Sequence, residues 1–319
     1  MTIVAADADG LRRAVEVLRR ESVVAFPTET VYGLGANAFS AKAVAEIYRL
    51  KNRPSWNPLI VHVATVEQAR ALARHWPAAA DELAARFWPG PLTLVVPRLI
   101  APGADHHEAA ADTIALRIPA HPVALQLLEA SGLALAAPSA NRSESISPTT
   151  AQHVLRSLPD VPLVLDGGPA SFGIESTVLD LSSARPRLLR PGALGLRELR
   201  DVIGPIELPE AEVTDGTARH SPGMSRRHYA PRAKLILAKD TADVQRADLD
   251  PPIAVLTYEG QGPGDEVLSA EPREYAADLY AALHRLDDAG VATILVQQPP
   301  ETEEWLAVRD RLGRAAATA

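Results

Sequence analysis

Residues 23–35 read Val23-Val24-Ala25-Phe26-Pro27-Thr28-Glu29-Thr30-Val31-Tyr32-Gly33-Leu34-Gly35. A short apolar run bounded by proline fits a buried core strand. The strand delivers a loop rich in hydroxyls and glycine. Gly33 and Gly35 are read as positions that permit positive φ and leave room for a ligand against the main chain. Next comes a helical pattern with Ala43, Val44, Ile47 and Tyr48 on one face and Ser40 as N-cap. Lys51 and Arg53 are expected just past its end, where an extended segment would point both to one side. Hydroxyls, glycines and two fixed cations suit an anionic, hydroxylated substrate.

Working outward, residues 1–205 alternate short apolar strands with helical patterns. Strands are predicted at 59–63, 92–96, 113–118, 133–137, 163–165 and 177–181, and helices at 11–20, 67–73, 79–87, 122–131 and 150–155. Such mixing implies an α/β domain with a sizeable sheet. The pattern breaks over 206–232, which is first acidic and then basic. A stretch this long is uncommon unless it is a linker or has a function. Arg226-Arg227-His228-Tyr229 inside it is unusual for a passive tether. Residues 233–319 return to strands (235–238, 253–257, 292–296) and helices (273–288, 303–312), a second, small α/β domain. Two domains suit a chain of 319 residues.

Composition excludes several classes. The net charge of -8 argues against a general nucleic-acid binder, which carries a basic excess or stripe. With no cysteine, disulfides, thiol catalysis and thiolate metal sites are ruled out. The first nine residues lack the layout of a signal peptide, and no apolar stretch is long enough to span a bilayer, so a soluble cytoplasmic protein is expected. There is no phosphate-binding G-x-x-x-x-G-K-[ST] loop, no G-x-G-x-x-G after the first strand and no G-x-S-x-G elbow. Any nucleotide must therefore be held by separate cations and hydroxyls.

Four further segments look like parts of a site. Ala137-Pro138-Ser139-Ala140-Asn141 follows an apolar strand, and ligands of open α/β sheets gather at strand carboxyl ends. Asp166-Gly167-Gly168-Pro169 opens a loop that closes with Glu175-Ser176-Thr177. Arg190-Pro191-Gly192 sets a cation on a stiff turn, and Arg117 sits in an apolar strand, where a charge needs a partner or a ligand. Each has a plainer reading. Ser139 and Asn141 can form a turn and cap, Lys51 and Arg53 a solvated helix end, and Arg117 a pair with Asp112 or Glu108. His62 can be a core histidine. His106-His107 has no spaced acidic partners, which argues against a metal there.

Taken together, these segments resemble the YrdC-like family in its long, two-domain form. The resemblance rests on PTETVYGLG at 27–35, KNRPSWNPLIVHV at 51–63, FWPGPLTLV at 87–95, ALRIPAHP at 115–122, APSAN at 137–141 and SPTTA at 147–151. It continues with DGGPASFGIESTVLD at 166–180, RPG at 190–192 and SPGMSRRHYAP at 221–231. It implies a twisted open-sheet YrdC-like catalytic domain over 1–205 and a linker over 206–232 that acts as a possible active-site lid. A small Rossmann-like α/β domain over 233–319 completes the expected chain. It also implies a nucleotidyltransferase that converts L-threonine, bicarbonate and ATP to threonylcarbamoyl-AMP and pyrophosphate, for threonylcarbamoyladenosine modification of tRNA.

By the same resemblance, Thr30, His62, Arg117, Ala137 and Ser176 match positions that bind threonine. Arg53, Asn57, Thr113, Ser139, Ser147, Arg190 and Tyr229 match those that bind ATP. Lys51, Arg53, Ser139 and Asn141 match the K-x-R and S-x-N catalytic signature. Asn52 stands where glycine is common, and residues 143–146 also vary. The implied cofactor is Mg2+ held by phosphates rather than by protein side chains. The implied partner is a downstream tRNA threonylcarbamoyl transferase complex, with no stable nucleic-acid binding and no membrane. If Arg227 to Tyr229 fold over the cavity, the linker excludes water from a hydrolysable acyl-adenylate. The competing reading is a non-catalytic RNA-binding protein that uses a concave basic cavity. A carbamoylating maturation protein would carry zinc fingers, which a cysteine-free chain lacks.

Overall fold

A computed structural model describes residues 2–54, 57–99, 112–208, 228–241, 244, 249–260 and 264–317. The chain opens with β1 (Thr2–Ala5), α1 (Ala8–Arg19), β2 (Val24–Phe26), β3 (Gly33–Asn37) and α2 (Ala41–Lys51). It continues through β4 (Ile60–His62), α3 (Val66–Leu72), α4 (Ala78–Phe87), β5 (Leu92–Pro97), β6 (Thr113–Arg117) and α5 (Pro122–Ser131). Then come β7 (Leu135–Ala136), α6 (Ala151–Ser157), β8 (Leu163–Asp166), β9 (Thr177–Asp180), β10 (Arg187–Arg190) and α7 (Leu196–Ile203). The ten strands form one mixed sheet in the order β1-β8-β2-β3-β7-β4-β6-β5-β9-β10.

Alternation along β2 shows how the sheet is covered. Successive side chains of a strand point to opposite faces. Val24 and Phe26 enter a core with Ala14, Val15 and Leu18 of α1 and Leu127 and Leu128 of α5. Val23 and Ala25 enter another with Val44 and Ile47 of α2 and Val154 of α6. A third cluster, built from α4, α7, β5 and β6, covers the far half of the sheet. Helix starts follow side-chain chemistry. Asp7, Ser40, Thr65 and Thr150 each accept a backbone N–H at the N-terminus of the helix they precede, worth about 1 kcal/mol apiece.

The second unit contains β11 (Lys234–Ala238), β12 (Ile253–Tyr258), β13 (Glu266–Leu268), α8 (Pro272–Asp288), β14 (Thr293–Gln297) and α9 (Leu306–Ala316). Its sheet is parallel throughout, ordered β11-β14-β12-β13. Where the sequence predicts one helix over 303–312, a 3-10 turn at Glu303–Trp305 precedes α9. That turn seats the Trp305 ring against Tyr258 and Tyr275. Strands β1, β3, β10 and β13 and helix α7 lie outside the sequence reading. β3 is Gly-Leu-Gly-Ala-Asn, a composition depleted in strands. It pairs because its neighbours β2 and β7 supply the ladder. Among the described residues no helix is long and apolar enough to cross a membrane.

The two units share a core. Val31, Ile146 and Ile174 of the first join Tyr275, Leu279 and Leu283 of the second in one apolar cluster. The rings of His153 on α6 and His284 on α8 stack at 3.8 Å. Burial is the main reason both stay neutral, with pKa values of about 3 and about 4. Gly173 sets the closest approach. It has φ +68, and a Cβ there would lie 2.1 Å from the Ala277 carbonyl oxygen in α8. Gly132, the C-cap of α5, has φ +67 but open space around it. Gly132→Ala is therefore expected to cost about 1 kcal/mol of backbone strain. Gly173→Ala is expected to cost about 3 kcal/mol, because the docked helix must also shift. Urea unfolding of the two variants measures the difference.

Candidate active site

The 27–32 loop is shaped by Thr28. Its hydroxyl accepts the N–H groups of Thr30 and Val31 at 3.2 Å and donates to the Val31 carbonyl at 2.6 Å. The loop then runs beside the 137–141 segment. Leu34 N–H donates to the Pro138 carbonyl, and Ala140 N–H to the Tyr32 carbonyl, at 2.8 and 2.7 Å. Parallel β4 and β6 align His62 with Arg117 at their carboxyl ends. These pairings place Thr30, Arg53, His62, Arg117, Ala137, Ser139, Ser176, Arg190 and Tyr229 around one cavity.

Gly33 and Gly35 take no positive φ; both lie in β3. A Cβ on Gly35 would sit 2.6 Å from the Phe26 ring. The absent side chain therefore makes room for a core phenylalanine, while Gly33 alone of the two reaches the cavity wall.

Lys51 and Arg53 also differ from expectation. α2 continues to Lys51, and Asn52 caps it in the left-handed region at φ 50. Asparagine tolerates that conformation, which explains how it stands where glycine is common. The turn separates the two cations. Lys51 Nζ donates to the Ser139 and Asn141 carbonyls, each at 2.5 Å, behind the cavity wall. Burial first, and then neighbouring Arg53, pull its ammonium well below the usual lysine range. Arg53 lines the cavity and donates to the Asn57 and Pro58 carbonyls. Asn57 contributes through its backbone, and Thr113 lies at the opposite end of β6 from Arg117; neither lines the cavity.

Arg117 pairs with Glu29 at 2.7 Å, in place of Asp112 or Glu108. Both side chains are buried, and Glu29 also accepts the Ala120 N–H at 3.0 Å. Breaking such a pair costs about 3 kcal/mol or more, because one charge is left buried alone. Asn141 builds a turn, its amide donating to the Arg142 and Ser145 carbonyls. Arg190 donates to the Ser176 carbonyl and hydroxyl, and that hydroxyl meets Thr93 Oγ1 at 2.8 Å. His62 Nδ1 is buried with no hydrogen-bond partner among the described residues, and burial, then Arg117, lower the ring to about 3. His62 therefore enters the site neutral. Asp166 accepts the Gly168 N–H and Thr177 donates to the Leu194 carbonyl, so both shape loops. His106-His107 and Arg227 lie outside the described residues.

Glu175 and Arg311 were given no role from sequence. Glu175 is the centre of a buried network. It accepts from Ser147 at 2.5 Å, from Arg311 at 2.7 Å and from Tyr280 at 3.1 Å. Burial alone would raise its carboxyl; Arg311 and Arg190 outweigh that and hold it at about 2. Arg311 comes from α9 of the second unit, and nothing in the alternation of its helix marks it. His228 and Tyr229 both line the cavity and are buried. With them in place, the free volume is about 50 Å³. Small-molecule pockets typically run to several hundred Å³.

Fold and site together define an α/β protein whose mixed sheet surrounds a buried, arginine-lined cavity for an anionic small molecule. Residues 16–192 match the Sua5/YciO/YrdC family profile, described as "Telomere recombination", and residues 195–317 match "Threonylcarbamoyl-AMP synthase, C-terminal domain". The chain belongs to the Sua5/YciO/YrdC family in its long form with the Sua5 C-terminal domain. A curated Pyrococcus abyssi protein named threonylcarbamoyl-AMP synthase is 43% identical, over 96% of this chain and 94% of that protein. The Bacillus subtilis protein of the same name is 42% identical, over 96% and 92%. The crystal structure of P. abyssi Sua5 complexed with L-threonine superimposes with a TM-score of 0.88 at 40% identity, covering 99% of this chain and 98% of that one.

The Glu175 network has a consequence for acid stability. A carboxyl held below its ordinary value of 4.5 contributes stability that is whole above that pH and is lost as the pH falls towards 2. The contribution is about 3 kcal/mol. Chemical denaturation at stepped pH is expected to show a steeper acid loss in the wild type than in Glu175→Gln.

Proposed function

We propose that this chain is a nucleotidyltransferase that makes L-threonylcarbamoyladenylate and pyrophosphate from L-threonine, bicarbonate and ATP. The observation that carries this reading is the convergence of Arg53, Arg117 and Arg190 with the hydroxyls of Thr30, Ser139 and Ser176 on one cavity. The near full-length likeness to curated synthases supports it. The threonine amine adds to bicarbonate, and loss of water leaves an N-carboxylate. A carboxylate oxygen then attacks the ATP α-phosphorus, and pyrophosphate leaves. Two anions must meet, so the protein's task is charge neutralisation and alignment. No covalent enzyme intermediate is required.

In this reading Thr30, His62, Arg117, Ala137 and Ser176 hold threonine, with the guanidinium of Arg117 facing its carboxylate. Arg53, Ser139, Ser147, Arg190 and Tyr229 hold ATP, with Asn57 and Thr113 assigned to the same set. Lys51 and Asn141 support the turn that carries Ser139, since Lys51 Nζ is spent on backbone carbonyls. His228 and Tyr229 form the lid: they shield the acyl-adenylate from water and must shift to admit a nucleotide. The domain limits 1–205, 206–232 and 233–319 are part of the same reading. So are the cytoplasmic setting and a downstream tRNA threonylcarbamoyl transferase complex that consumes the product.

Among the described residues no group of three or more His, Asp or Glu side chains is arranged to hold a metal. In this reading Mg2+ belongs to the nucleotide's phosphates and to water.

The test is incubation with L-threonine, bicarbonate and ATP, following pyrophosphate and the adenylate together. Turnover that requires all three substrates is expected. Arg53→Ala is expected to lower kcat about a hundredfold, and Arg117→Ala to raise KM for threonine by at least tenfold. Lys51→Ala is expected to impair turnover through disorder of the 139–143 segment. Pyrophosphate that appears equally without threonine rejects the reading. RNA binding with no ATP cleavage would favour the non-catalytic alternative.

A further inference from the structure

The second unit places a buried cation beside the cavity, where it pairs with Glu175. Arg311 on α9 is 1% exposed, although it belongs to the unit that carries no other cavity-side arginine among the described residues. Its Nε donates to Glu175 Oε2 at 2.7 Å and its Nη1 to Asp310 at 2.6 Å. Nη2 is buried and has no hydrogen-bond partner among the described residues. The guanidinium carbon sits 4.8 Å from the centre of the Tyr229 ring, within cation–π range. The same helix end holds the preceding residue, since the Arg314 carbonyl accepts the His228 N–H at 3.2 Å. Asp310 also accepts from Arg314 at 2.9 Å, which ties the two arginines together.

Tyr229 is under strain. It has φ 62, a left-handed conformation that is costly for a bulky non-glycine residue. Such backbone persists only where its surroundings hold it. The holding contacts come from both units. Ala230 N–H donates to the Glu144 carbonyl at 2.8 Å, the Tyr280 ring stacks on Tyr229 at 5.9 Å, and Arg311 lies over its face. The Tyr229 hydroxyl is buried with no hydrogen-bond partner among the described residues. Through Glu175, the same arginine reaches Ser147, which is fully buried and does not itself line the cavity.

We propose that Arg311 is a positioning residue through which the C-terminal unit controls the nucleotide half of the cavity. It holds the Tyr229 ring down and orients Glu175, and through Glu175 it orients Ser147. Arg311 touches no substrate. Its removal frees the 228–230 segment and lets Glu175 and Ser147 turn, while the threonine-side residues Thr30, His62 and Arg117 keep their own contacts. This assignment rests on the synthase reading and adds to it the reason that a second unit is present.

The experiment uses full-length Arg311→Met and Arg311→Lys, with Arg285→Ala, an exposed side chain of α8, as a control. Arg311→Met is expected to raise KM for ATP about tenfold, while calorimetric affinity for L-threonine stays within about twofold of wild type. Amides of 228–230 are expected to exchange hydrogen faster in Arg311→Met, with or without turnover. Arg311→Lys, which keeps charge without the fork, is expected to fall between. A cycle with Glu175→Gln is expected to be non-additive. Unchanged KM for ATP with unchanged exchange overturns the proposal, and so does an equal loss of affinity for both substrates. If Arg311→Met does not fold, Arg311→Lys is judged by the same two criteria. A wild-type chain that binds threonine but forms no adenylate sinks the synthase reading alone, because exchange at 228–230 still reports the latch.

Discussion

Cations crowd around one buried cavity, and the rest of the architecture is arranged to tolerate them. Arg53, Arg117 and Arg190 line it and Lys51 lies behind it, all nearly sealed from solvent. Removing a charge from water is expensive unless dipoles or counter-charges replace the lost hydration. Here backbone carbonyls do much of that work: those of Ser139 and Asn141 for Lys51, Asn57 and Pro58 for Arg53, and Ser176 for Arg190. Carbonyls can converge in this way only where strands end and loops turn. The site therefore lies by the middle strands of a large mixed sheet, where loops 27–32, 137–141 and 175–176 meet.

Two buried carboxylates complete the balance, and each ties the cavity to a distant element. Glu29 couples Arg117 to the 27–32 loop and to the Ala120 backbone. Glu175 couples Ser147 to Tyr280 and Arg311 of the second unit. Both acids are committed to partners, which leaves the cavity's remaining positive potential for an anionic ligand. His62 and His228, kept neutral chiefly by burial, add shape without adding charge. The continuous core across the two units makes their docking rigid enough for an arginine on α9 to matter at a site on the first sheet.

Much of the fold was legible because burial leaves a periodic trace. Strands β5, β6, β8 and β9 and helices α1, α4, α5 and α8 appear in the sequence within a residue or a few of their observed limits. β3 did not, since Gly33 and Gly35 read as loop; only the Phe26 ring, 2.6 Å from where a Cβ would sit, explains Gly35. The pairing of Lys51 with Arg53 on one side was misread for a related reason. One left-handed residue, Asn52, redirects the chain between them. Arg117 was recognisable as a buried charge in need of a partner, yet the partner was a residue of the opening motif, 88 positions away.

The sequence by itself determined the α/β class, the two-unit plan, the family and most of the residues that meet at the cavity. Those properties are written in local pattern and in ordered motifs. Tertiary structure alone decided that Lys51 stands behind the wall and that Glu29 and Glu175 are the counter-charges. It also decided that Arg311 reaches across from the second unit to the cavity's edge. The physical reason is that a counter-charge is selected by distance and desolvation in the folded chain, and neither leaves a period or a spacing along the sequence.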